Sequence, residues 1–243
     1  MQQVFIDNSP VDGVITITGQ DAHHLIRVVR LKNGEKIRVS CADGCNYICQ
    51  VNGPDGDDLI VDVIEEVPST ELSNRIYLFQ ALPKGDRIET IIEKCVELGV
   101  YEIIPVQMKN CIVKLDDKKK KTKLARYQAI AESAAKQSKR SIIPNIHEIL
   151  DFKQAYEYAL DLDVILLPYE CKNGMKDTFD VLSNLKKGQS ICVFIGPEGG
   201  FDPSEIELVS DRAKLISLGG RILRTDTAAI CSLSMLMLKC EEM

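Results

Sequence analysis

The residues best placed to do chemistry lie in the last fifth of the chain. Gly-Pro-Glu-Gly-Gly-Phe at residues 196–201 is followed by a second glycine pair, Gly219 and Gly220, which runs into Arg-Ile-Leu-Arg-Thr-Asp-Thr-Ala-Ala at 221–229. Each turn leaves a short apolar run. Glycine has no Cβ, so the loops here can adopt unusual backbone angles and lay bare N–H and C=O groups against a small molecule. No Lys-Ser/Thr pair follows the first loop, which disfavours a phosphate-gripping P-loop, and the spacing is not the G-x-G-x-x-G of a dinucleotide fold. Either turn alone is equally a tight strand-to-helix connection that holds nothing. Two of them, joined to an Arg-x-x-Arg-Thr-x-Thr stretch, point to a ligand cradle.

The elements around these loops must position them. Residues 191–195, Ile-Cys-Val-Phe-Ile, form a continuous apolar run, the pattern of a strand buried on both faces in a parallel sheet. Asp202, Pro203 and Glu205 read as the N-cap, first position and N3 of a capping-box-like helix start, with the helix reaching about Arg212. Residues 215–218 read as a further buried strand, and Thr225 as the cap of a final helix from Asp226 to about Lys239. Both loops then sit at the carboxyl ends of strands, where open α/β sheets bind ligands.

The alternation extends upstream. A strand at 76–82 leads to a helix capped by Asp86, with Ile88, Ile91, Ile92 and Cys95 on one face and Gly99 closing it. A strand at 103–106 follows, then a long helix striped by Leu124, Tyr127, Ala131, Ala134 and Ser138 that ends before Pro144, then a strand at 164–167. This predicts a mostly parallel α/β sheet. A boundary falls at 68–74, where Ser, Thr, Glu and Pro cluster. Before it lie a short helix at 21–30 and strands at 35–41, 47–52 and 59–67, with turns at Asp43-Gly44 and Pro54-Asp-Gly56, the pattern of a small β-barrel. The expected domains are residues 1–70 and 74–243.

These residues carry a family resemblance. The 196–201 loop, with Leu218-Gly-Gly-Arg-Ile-Leu-Arg-Thr-Asp-Thr-Ala228, resembles the signature of the bacterial 16S ribosomal RNA uridine N3-methyltransferases of the SPOUT class. Ala81-Leu-Pro-Lys-Gly-Asp-Arg87 and Glu97-Leu-Gly99 are similar to the opening of that family's catalytic domain. The stretch from Glu132 to Arg140 resembles its Gln-Ser and Arg segment, and His23 to Arg30 with Gly34 its N-terminal domain. Three positions depart from the pattern: Gly220 stands where the family usually has Pro, Asn110-Cys111 where it has Arg-Ser, and Tyr127 where it has Trp. The last two are expected on RNA-facing surface.

The resemblance implies an α/β fold with a trefoil-knotted, mostly parallel sheet, an N-terminal PUA-like barrel that docks RNA, S-adenosylmethionine as cofactor, and methylation of uridine N3 in the small ribosomal subunit. It assigns the cofactor to Gly196, Pro197, Glu198, Gly199 and Gly200 of the first loop and to Leu218, Gly219, Arg221, Ile222 and Leu223 of the second. Thr227, Ala228 and Leu167 complete the set. Uridine N3 carries an imide proton, and the anion left by its loss spreads over O2 and O4. Arginine offers planar, permanently charged N–H pairs for such an anion, which singles out Arg224 and Arg221, with Arg140 next. Glu198 is a proton acceptor, an orienting group or a loop-shaping residue. RNA contacts are expected from Arg27, Arg30, Lys84 and Arg87, and from Lys118, Lys119, Lys120 and Lys121. Such enzymes pair as homodimers, and Ala228, Ala229, Ile230, Leu233, Leu236 and Met237 give the last helix apolar surface for a partner.

Composition bounds the remainder. The chain has 243 residues, 45% of them apolar, enough for a sizeable core. The start shows neither a basic leader nor an apolar h-region, and no run approaches the roughly 20 apolar residues of a membrane helix, so a cytoplasmic protein without membrane contact is expected. Nine cysteines, an odd number, read as reduced thiols. Cys41, Cys45 and Cys49 do not have a standard metal spacing and read as small apolar residues on two paired strands, so no metal is expected; His23 and His24 add little to it. A net charge of −6 opposes nucleic-acid binding on its face. Yet residues 109–126 carry eight basic side chains against Asp116 and Asp117, which is either a phosphate-binding run or a solvated helix start. The competing functional reading is a non-catalytic RNA-binding protein that uses the barrel and basic run, the glycine loops serving only as turns.

Overall fold

Strands with one buried face build the first sheet. In the computed structural model, which describes residues 1–169 and 174–243, the chain divides into one unit of Met1–Glu71 with Ala135–Ile143 and another of Leu72–Ala134 with Pro144–Met243. The first unit holds β1 (Gln2–Ile6), β2 (Val14–Ile17), β3 (Lys36–Cys41), β4 (Asn46–Asp55) and β5 (Asp58–Val67) in the order β1-β3-β4-β5-β2. β1 runs parallel to β3 and the remaining pairs are antiparallel. Val4, Ile17, Ile37, Val39, Val51, Leu59 and Val61 meet in its core. Among the described residues the edge strands β1 and β2 do not pair with each other, so the five strands are one sheet rather than a hydrogen-bonded closed barrel.

The β3–β4 hairpin turns where Asp43-Gly44 predicts it. Gly44 has φ +90°, and Asp43 Oδ1 accepts from the Cys45 N–H at 2.9 Å. Cys41 and Cys49 lie buried on the two strands, while Cys45 sits in the turn. The helix read at 21–30 starts earlier, as α1 (Gly19–His23), and continues as a π-helical stretch, His24–Val29, that ends on Arg30 in the left-handed region at φ +59°. Wide turns of this kind are rare, and nothing in an apolar period announces one.

The second unit carries a seven-stranded sheet, parallel throughout: β6 (Arg75–Ala81), β7 (Glu102–Gln107), β8 (Asn145–Ile146), β9 (Leu150–Asp151), β10 (Val164–Pro168), β11 (Ser190–Ile195) and β12 (Ala213–Ile216). Its order is β12-β10-β11-β6-β7-β8, with β9 also on β7. The central strands β6 and β11 are nearly wholly buried, which is why they read as apolar runs at 76–79 and 191–195. Phe79 of β6 stacks on Phe194 of β11 with centroids 4.4 Å apart.

Helices α2 (Arg87–Glu97), α3 (Asp117–Ser138), α4 (Phe152–Ala159), α5 (Lys176–Ser183), α6 (Pro203–Val209) and α7 (Thr225–Glu241) complete the chain. Two expected elements shift: the strand placed at 215–218 is Ala213–Ile216, and α6 stops at Val209 rather than Arg212. Leu218 is therefore in the loop after β12, not on the strand. Because β10, β11 and β12 are parallel neighbours, their carboxyl ends lie together, and the segments after them converge.

Candidate active site

Three loops leave β10, β11 and β12 and enclose a cavity of about 320 Å³. Pro168 and Tyr169 line it at the end of β10, Gly196, Pro197, Glu198, Gly200 and Phe201 after β11, and residues 217–219 and 221–225 after β12, with Ala228 of α7. Both glycine turns expected from the sequence thus meet in one place. Gly200 has φ +71° and Gly219 φ +107°, values an L side chain rarely adopts. A Cβ on Gly196 would stand 3.0 Å from the Phe201 ring, so that glycine lets the ring close over its own loop.

The loops are held by side chains to which the sequence pattern assigns other roles or none. The Thr225 hydroxyl donates to the Gly196 carbonyl at 2.8 Å and accepts from Gln80 Nε2 at 3.0 Å, tying β6, the first loop and α7 together. Thr225 is the first helical residue, and Arg224 occupies the cap position, which corrects the reading of Thr225 as the cap. Thr178 of α5 clamps Ser217 at both backbone groups, accepting from its N–H and donating to its C=O at 2.9 Å each. Asn110 Nδ2 donates to the carbonyls of Gly200 (3.1 Å) and Gly199 (3.4 Å). Only the Asn110-Cys111 departure had marked that position in the sequence.

The α6 start forms as read. Asp202 accepts from the Ser204 N–H at 3.0 Å, and the buried Glu205 accepts from the N–H groups of Asp202 and Lys109, both at 2.9 Å. Hydrogen bonds from the Ser204 hydroxyl and N–H, then from Lys109, hold the Asp202 carboxyl down at about 2.

Of the residues expected at the cofactor, three fall outside the cavity wall. Leu167 is wholly buried in the sheet core, one residue short of the loop. Gly199 faces Asn110 instead, where a Cβ would stand 3.2 Å from the Asn110 Cβ. Thr227 is exposed on the first turn of α7 and does not line the cavity. Tyr169, Phe201 and Ser217 line it and were not read; Phe201 closes the very motif that pointed there, and Tyr169 follows an apolar strand.

The candidate catalytic residues separate. Arg221 and Arg224 both line the cavity and are exposed, and among the described residues neither guanidinium has an ion-pair partner. Glu198 also lines it, but its Oε1 accepts from Arg87 Nη1 at 2.8 Å and from the Lys84 N–H at 3.1 Å. It braces the first loop against residues 84–87, which favours the orienting role over the proton acceptor. Arg140 belongs to the first unit, is 3% exposed, and places Nε on both carboxylate oxygens of Glu71 with Nη2 on one of them. Its guanidinium is committed to Glu71, and Arg140 is not among the residues that line the cavity. A charged residue in a polar stretch gave no sign of burial.

Among the basic residues expected to meet RNA, Arg27, Arg30, Lys84, Lys118, Lys119 and Lys121 are exposed, whereas Arg87 is taken up by Glu198. The expectation that Cys111 and Tyr127 lie on open surface fails. Cys111 is 4% exposed, its thiol pushed up by burial, and Tyr127 is 2% exposed. No group of His, Cys, Asp and Glu that could hold a metal occurs among the described residues.

Residues 70–237 match the family described as RNA methyltransferase domain, and residues 17–64 the RNA methyltransferase PUA domain. The chain belongs to the RNA methyltransferase family. This is the family that the glycine-loop motifs resemble. Among its members, the ribosomal RNA small subunit methyltransferase E of Bacillus subtilis is 38% identical over 224 residues, covering 90% of this chain and 88% of that one. The protein of the same name from Mesomycoplasma hyopneumoniae is 32% identical over 236 residues, covering 93% and 95%. A Legionella pneumophila methyltransferase solved in complex with S-adenosylmethionine superposes with a TM-score of 0.82 at 27% identity, covering 97% of this chain and 96% of that structure. The family's two matched regions leave residues 65–69 between them.

Proposed function

We propose that this protein transfers a methyl group from S-adenosylmethionine to N3 of a uridine in 16S ribosomal RNA of the small subunit. The observation that carries the reading is the convergence of both glycine loops, with Arg221 and Arg224, on one cavity. The residues present suit the cofactor. Backbone at Gly200 and Gly219, which carries no side chain of its own, can meet polar edges of the ligand, and Pro168, Ile195 and Phe201 offer apolar wall to a flat ring. When bound, S-adenosylmethionine supplies an electrophilic methyl group carried on a sulfonium.

The chain's own contribution is electrostatic and positional. Arg221 and Arg224 direct two fixed positive charges at the cavity, where they stabilise the uracil anion that forms as the N3 proton leaves for solvent. Glu198, held by Arg87 and the Lys84 N–H, keeps the first loop in place against residues 84–87. Exposed Arg27 and Arg30 in one unit and Lys118, Lys119 and Lys121 in the other supply phosphate contacts.

The reading extends to a trefoil-knotted topology, a cytoplasmic location and a homodimer. No described helix is long and apolar enough to cross a membrane. For the dimer, support rests on different residues from those expected. Ala229, Leu233 and Leu236 are consumed by this chain's own core, but Leu238 is 65% and Ile222 87% exposed. Elution at the monomer mass of about 27 kDa at low micromolar concentration counts against it.

The deciding experiment is mass spectrometry of ribosomal RNA from a deletion strain, then after reaction in vitro with naked RNA and with small subunits. One 3-methyluridine should be lost in the strain and restored on subunits more readily than on naked RNA. An unchanged profile removes the assigned substrate. Absence of heat on titration with S-adenosylmethionine returns the protein to a non-catalytic RNA-binding role.

A further inference from the structure

A second cavity, of about 220 Å³, lies in the same unit between the start of α2 and one face of α3, and shares no lining residue with the first. Leu82, Pro83, Ile88, Val113 and Leu115 give it apolar walls. Tyr127 closes it from α3 with a ring that is 2% exposed, and Lys123 Nζ lies 5.7 Å from that ring's centroid. The volume is below the roughly 300–1,000 Å³ of pockets for drug-sized ligands, and suits one flat heterocycle.

Its polar equipment is unusual for a basic surface. Asp86 lines the cavity at the cap position of α2, yet its carboxylate makes no capping hydrogen bond, so its oxygens are available to a ligand. A carboxylate only accepts, and therefore selects a partner that presents N–H groups. Around it the charge is positive. Lys119 and Lys120 stand four and three residues before Lys123, on the same helix face, and Lys84 is exposed on the adjoining loop. Lys119 does pair with Asp116 at 3.2 Å, but that pair is exposed and weak enough to exchange for a phosphate.

We propose that this cavity is a nucleobase subsite for a nucleotide flanking the methylated one, and that the base it takes is guanine. The inference rests on the functional reading above. Guanine places two adjacent donors, N1–H and the N2 amino group, on one edge, matching the two oxygens of Asp86. Adenine and cytosine pair one amino donor with an acceptor nitrogen, and uracil flanks its single N–H with two carbonyls that a carboxylate repels. The apolar walls cover the ring faces, and the lysine face of α3 takes the backbone phosphates. The subsite is tied to the cofactor cavity, because the Lys84 N–H and Arg87, on either side of Gly85 and Asp86, both hold Glu198. A base seated here would therefore index the RNA against the first glycine loop.

The test uses the full-length protein with its cofactor cavity filled by S-adenosylhomocysteine. Asp86→Asn removes a negative charge from a basic face. If Asp86 is only a bystander charge, affinity for small subunits from the deletion strain stays equal or rises. The subsite requires affinity to fall about tenfold, the low end for a charge-assisted hydrogen bond, with S-adenosylmethionine affinity unchanged. On the parent protein, saturation-transfer NMR with millimolar GMP, AMP, CMP and UMP should show GMP strongest; equal signals from all four overturn the assignment without any variant. A parent that methylates no subunits sinks the functional reading, whereas a parent-like Asp86→Asn on active enzyme sinks the subsite alone.

Discussion

Replacing Thr225 by Val probes the tie that holds the cofactor loop. The two side chains have nearly the same shape, so no cavity opens and what is lost is the hydroxyl. Thr225 is 5% and Gln80 0% exposed, and the hydroxyl bridges Gln80 Nε2 and the Gly196 carbonyl. Gln80 Nε2 keeps its bond to the Ala81 carbonyl at 2.9 Å, while the Gly196 carbonyl loses this donor. Two neutral hydrogen bonds at a net value near 1 kcal/mol each make a loss of about 2 kcal/mol, a large share of a typical stability. The urea midpoint should fall at unchanged slope. Because Gly196 opens the first loop, S-adenosylmethionine affinity measured by calorimetry should also fall, roughly tenfold if about 1.4 kcal/mol of the loss bears on the bound geometry. Thr225→Ser keeps the hydroxyl and should recover both. A Val variant within 0.5 kcal/mol of the parent, with affinity within twofold, refutes the tie.

At Gly200 an added Cβ meets no atom within 4 Å, so Gly200→Ala should cost only what φ +71° imposes, about 1–2 kcal/mol, with weakened cofactor binding by titration. Replacing Lys118, Lys119, Lys120 and Lys121 by Ser should weaken RNA binding and reduce the magnitude of the log–log salt slope by up to about 3, with cofactor affinity unchanged; an unaltered slope makes the run a solvated face. Arg140→Ala should destabilise the protein by about 2 kcal/mol, since Glu71 loses its charged hydrogen-bond partner and keeps the Ser141 N–H, and should leave S-adenosylmethionine affinity at the parent value. Asp202, with its carboxyl held near 2 when folded against an ordinary value of 3.8, contributes stability that is whole above about pH 4 and lost as pH falls through about 2. Asp202→Asn should therefore unfold more readily than the parent above pH 4, with the gap closing between pH 4 and 2 in acid titration followed by circular dichroism.

The sequence made the second unit easier to read than the first, for a physical reason. Strands β6, β10 and β11 are buried on both faces, so each carries an apolar run of at least four residues, at 76–79, 164–167 and 191–195. β1 and β2 carry too few buried positions for a period to emerge, and their places in the sheet are set by β3 and β5, more than thirty residues away. The short pieces β8 and β9 have two residues each, below any pattern; α4 does carry a stripe, Phe152, Ala155, Tyr156 and Ala159, but only over eight residues, and α5, equally short, buries only Thr178 and Leu182.

The same distinction governs the site. Glycines announce themselves because a missing Cβ is a statement about local backbone, so both loops were legible. Residues that hold those loops act across long separations: Gln80 is 145 residues from Thr225, Asn110 is 90 from Gly200, and Thr178 is 39 from Ser217. Nothing local distinguishes such a polar residue from a solvated one, and the burial of Arg140 went unread for the same reason, since its partner Glu71 is 69 residues away. It follows that the positions most exposed to misreading here are polar residues whose partners are distant. Arg221 and Arg224 differ: both line the cavity, and among the described residues neither guanidinium has an ion-pair partner, so the charge expected there from the sequence faces the cavity.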